Sequence, residues 1–212
     1  MSDADRAAED AIGKLLAAER PDDGLIAEEG SRAEAASGRR WLVDPLDGTV
    51  NYLYRLPAWC VSVALQDADG TAVGVVRDPL RDETFAASRG RGCSLNGAVV
   101  RVRERAELSR ALVATGFGYE RDRRAAQAEV VSRVLPQVRD IRRAGAAALD
   151  LAWLAAGRLD GFWERGLMAW DWAAGALLVE EAGGAITELP GEPAGLVAAH
   201  PGLLPQLAGL VT

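Results

Sequence analysis

Two short apolar runs that each stop on acids constrain this chain more than any other feature. Leu25-Ile26-Ala27 runs into Glu28-Glu29, and Trp41-Leu42-Val43 runs into Asp44-Pro45-Leu46-Asp47-Gly48-Thr49. Apolar runs of this length predict buried strands, so the acids stand at strand ends. Pro45 cannot continue a sheet ladder, and the chain is expected to turn there. Such a turn can aim Asp44, Asp47 and the Leu46 carbonyl toward one point. Gly48 has no side chain to block backbone approach. Thr49 supplies a hydroxyl near a helix or turn start, where free N–H groups attract phosphate. A plain capped turn explains the same dipeptides, since Asp-Pro and Asp-Gly are ordinary turn pairs.

The rest of the chain reads as one α/β domain over residues 1–212. Asp3 to Arg20 is helical by pattern, with Ala4, Ala8, Ala11, Ile12, Leu15 and Leu16 on one face. Gly30 to Arg39 reads as a polar surface loop. Trp59–Leu65 and Thr71–Val76 pair as a hairpin over Asp69-Gly70. Glu83–Ala87 and the residues around Asn96-Gly97 extend this into a mostly antiparallel sheet. Strands follow at Ala111–Thr115, Val138–Arg142 and Asp160–Trp163, with helices at Arg121–Leu135, Ala146–Ala156 and Trp172–Ala182. Gly183-Gly184 ends the last helix.

Composition narrows the chemistry. The net charge of -7 argues against a nucleic-acid groove or an anionic membrane as partner. The basic run from Arg101 to Arg110, interleaved with acids, reads as a solvated face. The two cysteines, Cys60 and Cys93, and the single histidine, His200, exclude a zinc site of Cys and His and suit a reducing cytoplasm. No basic-then-apolar N-terminal stretch marks a signal peptide, and no run of about 18 apolar residues predicts a span. Any metal ligands must then be carboxylates and carbonyls, which favours hard cations such as Mg²⁺.

Glu28, Asp44, Asp47 and Asp171 make a constellation, each at the edge of an apolar element. Asp171 lies between Trp170 and Trp172 at a helix start, where capping is its commonest role. Carboxylates brought together raise one another's pKa unless a cation sits among them. Two or three Mg²⁺ would satisfy them and could activate a water for in-line displacement. A calcium loop is excluded, because Leu46 occupies an alternate ligand position before Gly48. A covalent aspartyl phosphate of the haloacid-dehalogenase type is also excluded, because Pro45 stands where its nucleophile would be.

Trp41 to Tyr52 resembles the first signature of the inositol monophosphatase family, and Trp170 to Gly175, continuing to Glu181-Ala182-Gly183-Gly184, its second. The resemblance runs in the family's order over nearly the whole chain. It implies a layered α-β-α-β-α sandwich of the inositol monophosphatase and fructose bisphosphatase type. It implies hydrolysis of inositol monophosphate or another small phosphate ester, such as histidinol phosphate, fructose bisphosphate or a nucleotide phosphate. It further implies Mg²⁺ as cofactor, sensitivity to Li⁺ and a homodimer. Glu28, Asp44, the Leu46 carbonyl, Asp47 and Asp171 would bind the metal ions. Gly48 and Thr49 would hold the phosphate, and Asp5 would partner Thr49, giving a catalytic set of Asp5, Asp47 and Thr49. Gly145, Ala146 and Ala147 would line the substrate hydroxyls, with Glu164 and Asp171 also facing substrate. Family members carry a further helix and a lysine-bearing hairpin ahead of the segment at Met1. The resemblance therefore implies an N-terminally shortened member, for which a non-catalytic metal-binding relative is the alternative.

Overall fold

The computed structural model describes residues 2–212. After helix α1 (Asp3–Glu19), strand β1 (Gly24–Ala27) lies parallel to β3 (Arg40–Asp47), with Ala27 beside Val43. The short β2 (Arg32–Ala33) pairs antiparallel with β1, so the expected Gly30–Arg39 loop holds an exposed edge strand. Helix α2 (Thr49–Leu53) then leads to an antiparallel meander: β4 (Cys60–Asp67), β5 (Gly70–Asp78), β6 (Glu83–Ser88), β7 (Cys93–Leu95) and β8 (Ala98–Val99). The eight strands order as β2-β1-β3-β4-β5-β6-β7-β8.

The second half builds another sheet. Strand β9 (Leu112–Thr115) is followed by α3 (Arg121–Val134), β10 (Asp140–Arg142), α4 (Ala147–Ala155), β11 (Gly161–Arg165) and α5 (Ala169–Glu181). Strands β12 (Ala185–Leu189) and β13 (Gly195–Ala199) and helix α6 (Leu204–Val211) complete the chain. The order is β10-β9-β11-β13-β12, parallel across the first three strands and antiparallel across the rest. The elements after Gly184 are absent from the sequence reading. Leu196–Ala199 is a continuous buried run without alternation, a pattern that does not separate strand from buried helix.

Five layers result. Helices α4 and α5 lie between the two sheets, and both are largely apolar, as such a position requires. The alternation of β11 divides its side chains: Phe162 joins the core around α4 and α5, and Trp163 joins the core under α3 and α6. Phe162 is fully buried, and truncating such a residue to Ala costs about 3–5 kcal/mol. Helix α1 covers the outer side of β3. Its inward face is not the apolar one that the spacing suggests: Asp5 and Glu9 are its buried residues, and Leu15 is 62% exposed. Both buried acids serve the strand ends described below.

Two other expectations change. Strand β3 passes through Pro45 to Asp47, because its register against β4 shifts between Asp44 and Asp47. At such a bulge the missing N–H is tolerated. The run from Arg101 to Arg110 is not simply solvated: Arg105 Nε lies 3.3 Å from Oδ1 of the buried Asp160, and a buried carboxylate needs such a partner.

Candidate active site

The two strand ends meet because β1 and β3 are parallel and finish at the same edge. Glu28 follows β1 directly, its N–H donating to the Val43 carbonyl at 3.1 Å, which sets it beside Asp44. Asp47 follows across the bulge. Asp171 comes from α5, where it is the third helical residue rather than the cap. Its Oδ2 accepts from the Met168 N–H at 2.7 Å. The Ser62 hydroxyl of β4 donates to the Trp170 carbonyl at 3.1 Å and ties that helix start to the sheet. Glu28, Asp44, Leu46, Asp47 and Asp171 thus line one cavity of about 260 Å³.

Each of three acids uses one oxygen on the backbone. Asp44 Oδ1 accepts from Leu46 N–H at 2.9 Å, and Asp47 Oδ2 from Ala148 N–H at 2.7 Å. Burial first, and then Asp47 and Glu28, raise the Asp44 pKa well above the ordinary carboxylate range. Asp44 and Glu28 hydrogen-bond each other, and Glu28 is itself raised by burial. Burial and Asp171 push Asp47 up to about 7, against the backbone N–H groups of Ala148 and Ala147. Asp171 is pushed up to about 6, mainly by burial. Among the described residues, no three acidic, cysteine or histidine side chains close on one point as ligands of an ion would. Four like-charged oxygen donors in one cavity, each raised in pKa, nonetheless fit a hard divalent cation, which would replace the protons they retain.

Gly48 caps α2 with φ 96°, a left-handed conformation that suits glycine. A Cβ there would stand 3.0 Å from the Ala58 carbonyl. The Thr49 hydroxyl lies 3.0 Å from Asp5 Oδ1 and 3.2 Å from the Leu46 carbonyl. Burial raises the Asp5 pKa, but hydrogen bonds from Ser2 and Thr49 outweigh it and leave the group below its ordinary value. An ionised Asp5 only accepts, so Thr49 can donate to it and keep its lone pairs for a water.

Two residues that the sequence reading passes over hold this frame. Glu9 accepts from Glu29 N–H and Ser31 N–H, each at 2.8 Å, one per carboxylate oxygen. It fixes the turn that carries Glu28. Asn51 donates from Nδ2 to the carbonyls of Ala58 at 2.6 Å and Ala144 at 2.7 Å. Glu9 stands four residues from Asp5, on the same helix face, but that spacing alone does not name the N–H groups it accepts from.

The Gly145–Ala147 stretch divides. Gly145 and Ala147 line the cavity. Ala146 does not: at the cap of α4 it is buried, and its Cβ stands 3.3 Å from where a Gly48 Cβ would lie. Glu164 lines the far wall, its carboxylate so close to Gly116 that a Cβ there would stand 2.1 Å away. Burial, then Asp47, push it up to about 8, with Arg143 opposing. In the metal-free protein this favours the protonated carboxyl, which can donate as well as accept. Asp150 lies behind, 1% exposed, with Oδ1 unpartnered. Its pKa is also raised well above ordinary by burial, then by Asp47.

Comparisons with known proteins bear on the family and the fold. The model of the inositol monophosphatase family matches residues 1–211. "Nus factor SuhB" of Xylella fastidiosa is 46% identical over 194 residues, 91% of this chain and 70% of that protein. An "Inositol-1-monophosphatase" of Rhizobium meliloti is 45% identical over 193 residues, 90% of this chain and 73% of that protein. Among solved structures, the extragenic suppressor protein suhB of Bartonella henselae superposes with a TM-score of 0.95 at 38% identity. It covers 100% of this chain and 84% of that one. The inositol monophosphatase of Anabaena gives 0.90 at 37% identity, covering 98% and 85%.

Proposed function

The chain belongs to the inositol monophosphatase family, and from that premise we propose that it is a Mg²⁺-dependent phosphatase of small phosphate monoesters, with inositol monophosphate as the reference substrate. One observation carries the reading: four carboxylates line a single cavity beside the Gly48–Thr49 cradle. Glu28, Asp44, Asp47, Asp171 and the Leu46 carbonyl would hold the ions. Bound there, Mg²⁺ supplies Lewis-acid charge and activates water. Thr49, donating to Asp5, accepts from that water and orients it toward phosphorus. The N–H groups at the start of α2 hold the phosphate oxygens. Gly145, Ala147 and Glu164 face the alcohol part, and Asp171 faces both ion and substrate. Li⁺, seated among the same carboxylates, inhibits.

Two further parts of the reading concern assembly and place. Val50, Leu53, Tyr54, Leu56 and Leu80 are exposed apolar residues around α2, and a second copy of the chain covers them in a homodimer. No helix among the described residues is long and apolar enough to cross a membrane. Cys60 and Cys93 are free and buried, in keeping with the cytoplasm.

The relatives named Nus factor SuhB favour a second reading, a role of that kind with or without turnover. The test is phosphate release from inositol monophosphate, histidinol phosphate, fructose bisphosphate and a nucleotide monophosphate, with Mg²⁺ and after chelation. Release that requires Mg²⁺ is expected. No release from any ester would favour the second reading.

A further inference from the structure

Three arginines also line the cavity: Arg123, Arg143 and Arg165. Two of them are already engaged. Arg123 Nε pairs with Glu120 at 3.1 Å. Arg165 Nη1 donates to the carbonyls of Pro190 at 3.1 Å and Pro193 at 3.2 Å. Arg143 differs. Its guanidinium carbon lies 5.8 Å from the centre of the Phe117 ring, its charge acts on Glu164 and Asp150, and among the described residues it makes no hydrogen bond and no ion pair. The loop from β10 to α4 holds it beside the site. Its Nη1 stands 2.4 Å from where a Gly145 Cβ would be, and Asn51 Nδ2 stands 3.1 Å from that same point. A side chain at position 145 would close this approach.

A guanidinium without a hydrogen-bond partner keeps its N–H groups free, and its planar fork matches a carboxylate or phosphate in two places. A neutral polyol offers it no such partner. We propose that Arg143 is the anion-binding end of this cavity, and that the site takes, besides neutral polyol phosphates, esters that carry a second anionic group. The inference rests on the phosphatase reading for turnover but not for binding.

Matched substrates isolate the effect. Phosphoglycerate and glycerol phosphate differ by a carboxylate, and fructose bisphosphate and fructose monophosphate by a second phosphate. A charged hydrogen-bonded pair corresponds to about a tenfold to hundredfold change in affinity. Arg143→Ala is expected to lower kcat/KM for the more anionic member of each pair by about tenfold or more beyond its effect on the other, chiefly through KM. Arg143→Lys is expected to recover part of the loss. Loss in one pair alone would identify which anion the site takes. Equal losses within both pairs would overturn the proposal and assign Arg143 to the transferring phosphate or to the fold. Calorimetric binding of the same four esters to wild type and Arg143→Ala keeps the test open if no ester is hydrolysed. Weaker binding of the anionic members alone would then uphold the proposal while the phosphatase reading fails, and unchanged binding would overturn it.

Discussion

Asp160 and Asp44 are the same side chain, each 2% exposed, and the chain treats them in opposite ways. Asp160, before β11, accepts from Leu112 N–H at 2.8 Å and from Arg105 at 3.3 Å. Asp78, at the end of β5, receives Arg81 at 2.7 Å together with two backbone N–H groups. At the joined ends of β1 and β3, by contrast, Glu28, Asp44, Asp47 and Asp171 meet backbone donors and one another. None of them pairs with an arginine or lysine in the ion pairs of the described residues. A buried carboxylate that the chain neutralises itself is part of the fold. A group of them left without a cation is built for one that arrives from outside.

The largest expected effect separates the two kinds. Asp44→Asn and Asp47→Asn should each lower phosphatase activity at saturating Mg²⁺ by at least about a hundredfold, since a bound metal's charge stabilisation is worth several kcal/mol. The metal-free melting temperature should hold or rise, because one repelling charge is gone. Asp160→Asn should do the reverse, costing about 1–3 kcal/mol of stability and leaving kcat near wild type. Activity of Asp47→Asn within a few-fold of wild type would erase the distinction.

Next come the two acids of α1, which stand between the kinds: buried, yet answered by N–H and O–H donors alone. Asp5→Asn should lower kcat by up to about a hundredfold with little change in KM, because a group displaced by about 1 Å can lose that much. Glu9→Ala should weaken Mg²⁺ binding by about tenfold to a hundredfold, the usual cost of losing support behind a ligand. Calorimetry reads this without turnover. An unchanged Mg²⁺ affinity with a lower melting point would make Glu9 a fold residue like Asp160.

A smaller effect concerns pH. Burial pushes Asp171, Asp47 and Glu164 up to about 6, 7 and 8 in the metal-free protein, all above their ordinary values. A raised acid binds its proton more tightly folded than unfolded, so its stabilisation is complete below about pH 4. That stabilisation is lost as pH rises through the folded value. The melting temperature in chelator should therefore fall between pH 5 and 9, on the order of these pKa values, and Mg²⁺ should flatten the fall. A flat profile in chelator would show that the cluster carries no repulsion.

The strand ends were legible because they combine a short apolar run with acids, and both signals are local. The family resemblance supplied Asp5 for Thr49, a contact that spacing alone does not reveal. Glu9 and Asn51 were not legible, since each acts on backbone groups distant in sequence. The apolar stripe of α1 misled for a related reason: a helix covering a strand end turns its carboxylates inward when N–H groups await them. The family resemblance implies a lining role for Ala146, but small residues suit both a cavity wall and close packing, and the Gly48 contact favours packing. The return strand β13 lay beyond reach because insertion between β11 and β12 is a matter of topology.

Whether this cluster awaits a cation is tested most directly by titrating Mg²⁺ into metal-free protein at neutral pH, in two buffers of different ionisation enthalpy. Carboxylates that hold protons must release them to bind metal. The account predicts saturable binding with proton release, a release that shrinks toward pH 9 and is reduced in Asp47→Asn. Binding without proton release, or equal binding by Asp47→Asn, would contradict it.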